Sequence, residues 1–201
     1  MTSEMTDSIS GQATDAGRRP GKRERLIAAA MQLVHQQGIE RTTLAEIAKA
    51  ADVPAGNVYY YFKTKDDVIA AVIEAHAQQI KTTLAFIGTR HRSPKSRLKA
   101  FVREFTAQSE MVAQYGCPLG GLCSELDKRV REASLPVAEL MRLPIEWAED
   151  QFRSLGRPDA RDLAFDLLAA YEGSALLAST MHDPGVLSRA ARRIDHWIDT
   201  L

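Results

Sequence analysis

The chain has 201 residues, of which 45% are hydrophobic and 26% are charged, and its 26 basic residues are balanced by 26 acidic ones. This composition excludes a disordered protein, because it supplies enough apolar side chains for one large hydrophobic core or two small ones. The neutral total charge neither indicates nor excludes a nucleic-acid partner, so the distribution of charge along the chain has to decide.

The amino-terminal residues 1–17 are polar and contain no aromatic side chain and no apolar run. We expect them to form a disordered tail, and neither a signal peptide nor a membrane anchor. No later apolar stretch approaches the roughly 18 to 20 residues that cross a bilayer. The sequence therefore predicts a cytoplasmic protein without a membrane partner, in which Cys117 and Cys123 are thiols and not a structural disulfide.

The segment after the tail has the pattern of three short helices. The first, 23–37, carries apolar residues at helical spacing and ends at Gly38. The other two lie within 42–65 and are separated by a turn, because Asp52 tolerates the left-handed conformation of a helix end and Pro54 cannot extend a helix. The last of the three combines small residues with three tyrosines. This pattern is typical of a helix-turn-helix, whose final helix enters the major groove of DNA.

Basic residues concentrate in the same part of the chain. Between 18 and 65 there are nine basic residues and four acidic ones, a local excess of five, and the remainder is correspondingly acidic. Such an asymmetry is expected when one part of a protein meets phosphates. We therefore predict a DNA-binding domain at 18–66. A basic cluster at its start fits a flexible DNA-contacting arm and a solvated tail equally well: Arg18, Arg19, Lys22 and Arg23.

Residues 67–201 are predicted to form a helical domain for ligand binding and dimerisation. Pro136 and Pro144 should bend one of its helices, and there is no strand signal and no internal repeat. The predicted fold is all-α with about nine helices. After the first three, the expected helices lie at about 65–88, 94–115, 134–155, 159–182 and 185–201, with a kink or loop leading into a short helix at 115–126.

The last two predicted helices have broad apolar faces interspersed with small residues. One face can serve the chain's own core, and the surplus predicts that the same pair from a second chain completes a four-helix bundle in a homodimer. A two-fold dimer also matches a palindromic DNA site. The same pattern fits a monomeric core pair as well. The predicted dimerisation residues are Leu167, Leu168, Tyr171, Ala175, Ile194, Trp197 and Ile198.

The first third of the chain resembles the tetracycline-repressor (TetR) family of transcriptional regulators. The matching residues, between 38 and 65, are Gly38, Thr42-Thr43, Ile47-Ala48, Ala51-Asp52-Val53, Gly56-Asn57-Val58-Tyr59-Tyr60-Tyr61-Phe62 and Lys65. The rest resembles the family only in length, helical character and the final helix pair. Asp52 replaces the usual Gly, and Pro54 stands where a capping Ser is common, so we assign no DNA contact to Pro54.

The resemblance implies which residues contact a double-stranded DNA operator. Thr43 with its backbone amide, Tyr60 and Lys65 are expected at phosphates, and Tyr59 either contacts phosphate or packs against the first helix. Val58 and Phe62 are expected in the core. The residues expected to face base edges are Ala55, Gly56, Asn57 and Tyr61. Few of these form bidentate base contacts, so DNA shape should contribute to recognition.

The resemblance also implies a small effector that binds the C-terminal domain, moves the fourth helix and releases DNA, as in a repressor. The aromatic and Met content suggests an apolar effector. Cys117, near a helix start where the dipole favours a thiolate, is predicted to react with electrophiles, or else simply packs. Each candidate ligand residue also fits an ordinary core: Phe105, Met111, Tyr115, Cys117, Trp147 and Tyr171.

Two other classes of protein fit the sequence less well. An enzyme is disfavoured, because the five His have no metal-ligand spacing and the chain has no phosphate-binding Gly loop and no Ser nucleophile elbow, so we expect no cofactor and no metal. A helical protein-interaction module without DNA binding is the alternative to a regulator. The two differ in that DNA affinity falls steeply with salt.

Overall fold

The computed structural model describes residues 20–129 and 137–201. These ranges form ten helices and contain no strand, which confirms the predicted all-α class. The predicted tail 1–17 lies outside the described residues. The same holds for Arg18, Arg19 and Pro136. The helices are α1 (Lys22–Arg41), α2 (Leu44–Ala50), α3 (Ala55–Tyr61), α4 (Lys65–Arg90), α5 (Pro94–Thr106), α6 (Ser109–Tyr115), α7 (Pro118–Arg129), α8 (Val137–Ser154), α9 (Ala160–Met181) and α10 (Gly185–Thr200).

One predicted boundary needs correction and another is refined. The helix expected at 94–115 is divided into α5 and α6, because Ala107 and Gln108 break it. The kink or loop predicted within 115–126 is confined to Gly116 and Cys117, and the short helix predicted to follow it is α7, which begins at Pro118 after Gly116 turns the chain at a φ of 85°. Helix α8 continues through Pro144. None of the helices in the described residues is both long and apolar enough to cross a membrane.

Helices α1 to α3 share a small core that fixes the turn before α3. Leu26, Ile47 and Val58, one from each helix, are almost fully buried there. Asp52 adopts the left-handed conformation expected of it, with a φ of 51°. The Arg25 guanidinium donates to the carbonyl oxygens of Ala51 at 2.9 Å and of Asp52 at 3.1 Å. Arg25 therefore ties α1 to the turn and sets the direction in which α3 leaves it.

The larger core is built from α4 to α10 and contains a line of aromatic rings. Trp147 of α8 stacks on Phe101 of α5 with ring centroids 5.5 Å apart, and Phe101 lies 4.3 Å from Phe105. Phe105 meets Tyr171 of α9 edge-on at 5.4 Å. Offset and edge-on pairs of this kind stabilise beyond the area they bury. The line joins three helices around one side of the domain.

Two polar contacts join α1 to the larger core. The His35 Nε2 atom lies 2.8 Å from the carbonyl oxygen of Gly116, so this nitrogen carries the proton and donates. The Ile39 N–H donates to Oε2 of Glu125 in α7 at 2.7 Å. Between these contacts α1 kinks at Gly38, with φ 82° and ψ 167°. The end of α1 that leads into the helix-turn-helix is thus held by α7.

Candidate nucleic-acid interface and ligand cleft

Helix α3 presents an exposed face with two aromatic side chains. Tyr59 and Tyr60 retain 56% and 78% of their accessibility, and Ala55 and Gly56 are exposed beside them. A Cβ added at Gly56 would contact nothing within 4 Å. Aromatic rings with a polar tip are common where a protein meets a partner. The face is open for a close approach of another molecule.

The other residues of α3 orient this face. Val58 and Phe62 are buried as predicted, and the Arg23 guanidinium lies 5.7 Å from the centre of the Phe62 ring. Tyr61 is half-buried and meets the Tyr60 ring edge-on with centroids 5.0 Å apart. The exposure of Tyr59 disfavours one of its two predicted roles, packing against the first helix, and its contact with phosphate stays a prediction.

At the starts of α2 and α4, where phosphate contacts are predicted, carboxylates of the chain itself accept hydrogen bonds from the backbone N–H groups. Glu46 Oε2 accepts from the Thr43 N–H at 2.9 Å, and Asp67 Oδ2 accepts from the N–H groups of Lys63 and Thr64, both at 2.9 Å. Hydrogen bonds from Thr43 lower the pKa of Glu46, and the two amides lower the pKa of Asp67. In the free chain the Thr43 N–H, for which a phosphate contact is predicted, already donates to Glu46 within a capping box, and the phosphate contact stays a prediction.

Basic residues exceed acidic ones in the part of the chain that contains α3. The Lys65 ammonium donates to the carbonyl oxygen of Glu40 at 3.0 Å, which ties the start of α4 to the end of α1. An ammonium has three donors, so this bond leaves two for another acceptor. The exposed basic residues between 22 and 65 are Lys22, Arg23, Arg41, Lys49 and Lys63. With Arg25 and Lys65 they make seven basic residues against four acidic ones in this range, an excess of positive charge that favours phosphates.

A cleft of about 450 Å³ opens between α1, α4, α5, α6 and α7, with Tyr171 of α9 at its side. Its walls mix apolar groups with polar ones. The apolar lining is Ala28, Met31, Ile80, Phe105, Met111, Val112, Pro118 and Leu119, and the polar lining is Gln32, His35, His76, Gln79, Thr83, Glu104, Gln108 and Tyr171. The volume is typical of a small-molecule site.

The predicted ligand residues divide into two groups. Phe105, Met111 and Tyr171 line the cleft. The other three do not, and each has a different packing role: Tyr115 meets the His35 ring edge-on, Trp147 stacks on Phe101, and Cys117 is buried behind the lining. No cluster of three or more His, Cys, Asp or Glu in the described ranges could hold a metal ion.

Cys117 lies in a buried polar cluster beneath the cleft. Its thiol donates to Oε1 of Glu172 at 3.2 Å, and its sulfur accepts from the Tyr171 hydroxyl at 3.8 Å and from the Gly120 N–H at 3.4 Å. Burial, and then the neighbouring Glu172, raise the pKa of Cys117 to about 12. The prediction that the helix dipole favours a thiolate here is wrong, because these effects outweigh the Gly120 amide.

We expect Cys117 to be a slow nucleophile at neutral pH. In a Cys123→Ser variant, its alkylation by iodoacetamide should accelerate about tenfold per pH unit from pH 7 to pH 10 without levelling off, since only the thiolate reacts. Intact-mass spectrometry of the native protein measures this rate. A plateau near the ordinary thiol pKa of about 8.5 would contradict the buried, protonated state.

The predicted dimerisation residues lie mostly on the inner face of the last helix pair. Six of the seven are buried in the chain's own core, and Trp197 is half-buried: Leu167, Leu168, Tyr171, Ala175, Ile194 and Ile198 are the buried six. These six therefore pack in the core of the single chain, although Ile194, with Trp197, also lines the groove between α9 and α10. The outer face of α9 is exposed and largely apolar: Phe165, Ala169, Ala170, Gly173, Leu176, Leu177 and Met181. Between α9 and α10 it forms a groove of about 480 Å³.

Comparison with known proteins gives concordant results. The family model for bacterial regulatory proteins of the tetR family matches residues 26–72. An uncharacterized HTH-type transcriptional regulator of Lactococcus lactis subsp. lactis is 29% identical over 170 residues, 82% of this chain and 87% of that protein. The HTH-type transcriptional regulator BetI of Paraburkholderia phymatum is 29% identical over 190 residues, 92% of this chain and 95% of that protein.

Solved structures agree in fold over nearly the whole chain. A TetR transcriptional regulator from Legionella pneumophila superposes with a TM-score of 0.78 at 23% identity, over 92% of this chain and 98% of that one. The reduced form of NemR from E. coli superposes with a TM-score of 0.74 at 22% identity, over 86% of this chain and 94% of that one. The similarity in fold therefore extends well beyond the helix-turn-helix.

Proposed function

The chain belongs to the TetR family of transcriptional regulators, and from this premise we propose that it is a cytoplasmic repressor that binds a palindromic operator as a homodimer. An effector bound in the C-terminal domain releases the DNA. The observation that carries the proposal is the exposed face of α3, where Tyr59 and Tyr60 are accessible and the exposed Lys63 lies two residues past the end of the helix. A helical protein-interaction module without DNA binding remains the alternative, and the experiment below separates the two.

On this proposal α3 lies in the major groove. Ala55, Gly56, Asn57 and Tyr61 are assigned to base edges, and the phosphate contacts fall to Tyr59, Tyr60 and Lys65. Because this set contains few side chains that form two hydrogen bonds to one base, recognition rests largely on DNA shape. The Thr43 amide is left out of this assignment. Glu46 and Asp67 accept hydrogen bonds from the backbone N–H groups at the starts of α2 and α4, and their negative charge keeps phosphates away from these amides.

The homodimer uses the outer face of α9 and the groove beside α10. Leu176 and Leu177 are 66% and 54% exposed, and two leucines in adjacent positions on a helix of small residues suit close helix packing. Two α9–α10 pairs then form the four-helix bundle that the sequence predicted, with the exposed face of α9 in contact and, of the predicted set, Ile194 and Trp197 in the groove. A two-fold axis through this bundle gives the two α3 helices the symmetry of a palindromic site.

Replacing Tyr60 with Phe should weaken operator binding about tenfold, because the change removes one hydrogen bond to a charged phosphate and leaves the ring in place. The loss should be similar on every DNA sequence, since phosphate contacts carry no sequence information. Fluorescence anisotropy with a duplex that the protein selects from a random-sequence pool measures the affinity. A salt titration of the same complex should give a log–log slope of about −0.9 per phosphate neutralised.

Tyr115→Phe is the matched control for this experiment, because the same hydroxyl is removed from a tyrosine that packs on His35. It should leave the affinity unchanged. An unchanged affinity in Tyr60→Phe would remove Tyr60 from the interface. Absence of any duplex binding that falls with salt would favour the interaction module over the regulator.

A further inference from the structure

The cleft between α1 and the larger core has an uneven distribution of charge. Glu104 is the only acidic residue that lines it, and none of its described lining residues is Lys or Arg. Within the part of the chain that the structure describes, the Glu104 carboxylate has no ion-pair partner. It lies at the rim, where water still reaches it. The cleft therefore offers a negative charge to an occupant and no positive charge of its own.

A second carboxylate lies one layer behind the lining. Glu172 accepts a hydrogen bond from Cys117, the residue before Pro118 in the wall, and burial raises the pKa of Glu172. A raised pKa means that the charged form of this carboxylate is poorly compensated by its surroundings. A cation in the cleft would supply part of the missing compensation.

The histidine at the centre of α4 adds no opposing charge. His76 is half-buried in the cleft wall, and burial, followed by the nearby His35, lowers the pKa of His76 to about 4. Its ring is therefore neutral at physiological pH. The other titratable groups facing the cleft are His35, Glu104 and Tyr171, and the pKa of Tyr171 is raised by burial, which keeps the phenol neutral.

The remaining walls suit the body of an organic cation. Phe105 and Tyr171 meet edge-on at 5.4 Å, and the faces of aromatic rings attract positive charge. Met31 and Met111 add unbranched, polarizable side chains that adapt to different shapes. An organic anion would find no cation here, and a neutral occupant would cover the rim carboxylate without pairing it.

We propose that this cleft binds an amphipathic organic cation, with its apolar body between Met31, Phe105 and Met111 and its positive charge directed toward Glu104. The inference rests on the proposed function and deepens it by naming the chemical class of the effector. Because α1 supplies one wall, an occupant touches the helix that leads into the helix-turn-helix. A cation that prefers one position of α1 over another shifts the DNA-binding equilibrium by that difference in affinity.

Tetraphenylphosphonium and tetraphenylborate test the proposal, because the two ions have the same shape and opposite charge. Isothermal titration calorimetry of the full-length chain should detect the phosphonium and a much weaker interaction with the borate. Glu104→Gln should weaken phosphonium binding about two- to fivefold, as expected for the loss of one solvent-exposed ion pair while the aromatic contacts are kept. The smaller cation benzyltrimethylammonium is titrated in parallel, so that size alone does not decide the result.

Glu110→Gln is the matched control, since it removes the same charge from an exposed residue outside the lining of the cleft. It should bind the phosphonium as the unmodified chain does. The proposal is overturned if neither cation binds, if the borate binds as tightly as the phosphonium, or if the two Gln variants behave alike. Operator affinity is measured in the same samples. If a cation whose binding depends on Glu104 leaves DNA binding unchanged, the cleft binds cations but its occupant does not release the operator.

Discussion

Leu177→Arg should convert the protein into a monomer and lower its operator affinity by about a hundredfold or more. Leu177 is 54% exposed on α9 and lines the groove beside α10, so the single chain does not need it for its core. In a dimer the same position is buried against the partner, and an unpaired charge there costs several kcal/mol. Because Asp166 and Arg193 both line the groove, a charge of either sign has a possible partner there, so Leu177→Glu should disrupt the dimer as Leu177→Arg does.

Sedimentation equilibrium gives the mass of the variant, and anisotropy gives its operator affinity. Phe86→Arg is the control, because Phe86 is also about half exposed and also lies beside an arginine, Arg90, whose guanidinium is 4.8 Å from the ring centre. It should remain dimeric. Circular dichroism should find both variants helical. If Leu177→Arg stays dimeric with unchanged affinity, the outer face of α9 is not the dimer interface.

The helix-turn-helix was predictable because its signals are local. Asp52 and Pro54 specify a turn by their own conformational preferences, and the structure gives Asp52 a φ of 51°. The resemblance to the TetR family implied that Val58 and Phe62 lie in the core, and both are buried. One local signal was overlooked: Thr43 with Glu46, and Thr64 with Asp67, both follow the capping-box pattern that occupies the amides otherwise open to phosphate.

The face proposed for dimerisation and the cleft could not be predicted in the same way. Helix α9 is apolar on two sides, and periodicity identifies apolar stripes without indicating which one the chain's own core buries. The cleft brings together His35, His76 and Glu104 from helices far apart in sequence, and spacing along the chain contains no information on such contacts. Cys117 illustrates the same limit, since burial and Glu172 decide its pKa against the local helix dipole.

Gly38→Ala should destabilise the protein by about 2 to 5 kcal/mol, an expected fall in Tm of about 5 to 15 °C for a chain of this size. The native φ of 82° and ψ of 167° lie in a region that is open essentially only to Gly. An added Cβ would also lie 2.8 Å from Oε1 of Glu125. Glu125 would have to move, and the Ile39 N–H would lose its acceptor at 2.7 Å.

Thermal and urea unfolding measure the effect of Gly38→Ala, with Gly121→Ala as the control. Gly121 is an exposed glycine in α7 where a Cβ contacts nothing within 4 Å, so Ala should be neutral or stabilise by up to about 1 kcal/mol. Glu125→Ala removes both the obstructing carboxylate and the acceptor of Ile39. The double variant Gly38→Ala/Glu125→Ala should therefore lose less stability than the sum of the single changes, because part of each cost is shared.

Operator affinity distinguishes local strain from a change in the geometry of the DNA-binding helices. Gly38 lies where α1 turns toward α2, and Glu125 is the contact by which α7 holds that turn. Below its unfolding temperature, Gly38→Ala should bind operator more weakly than Gly121→Ala, because the altered kink changes the position of α2 and α3 relative to α4. Equal affinities would mean that the kink affects stability alone, and that any signal from the cleft reaches α3 through α4 and not through α1.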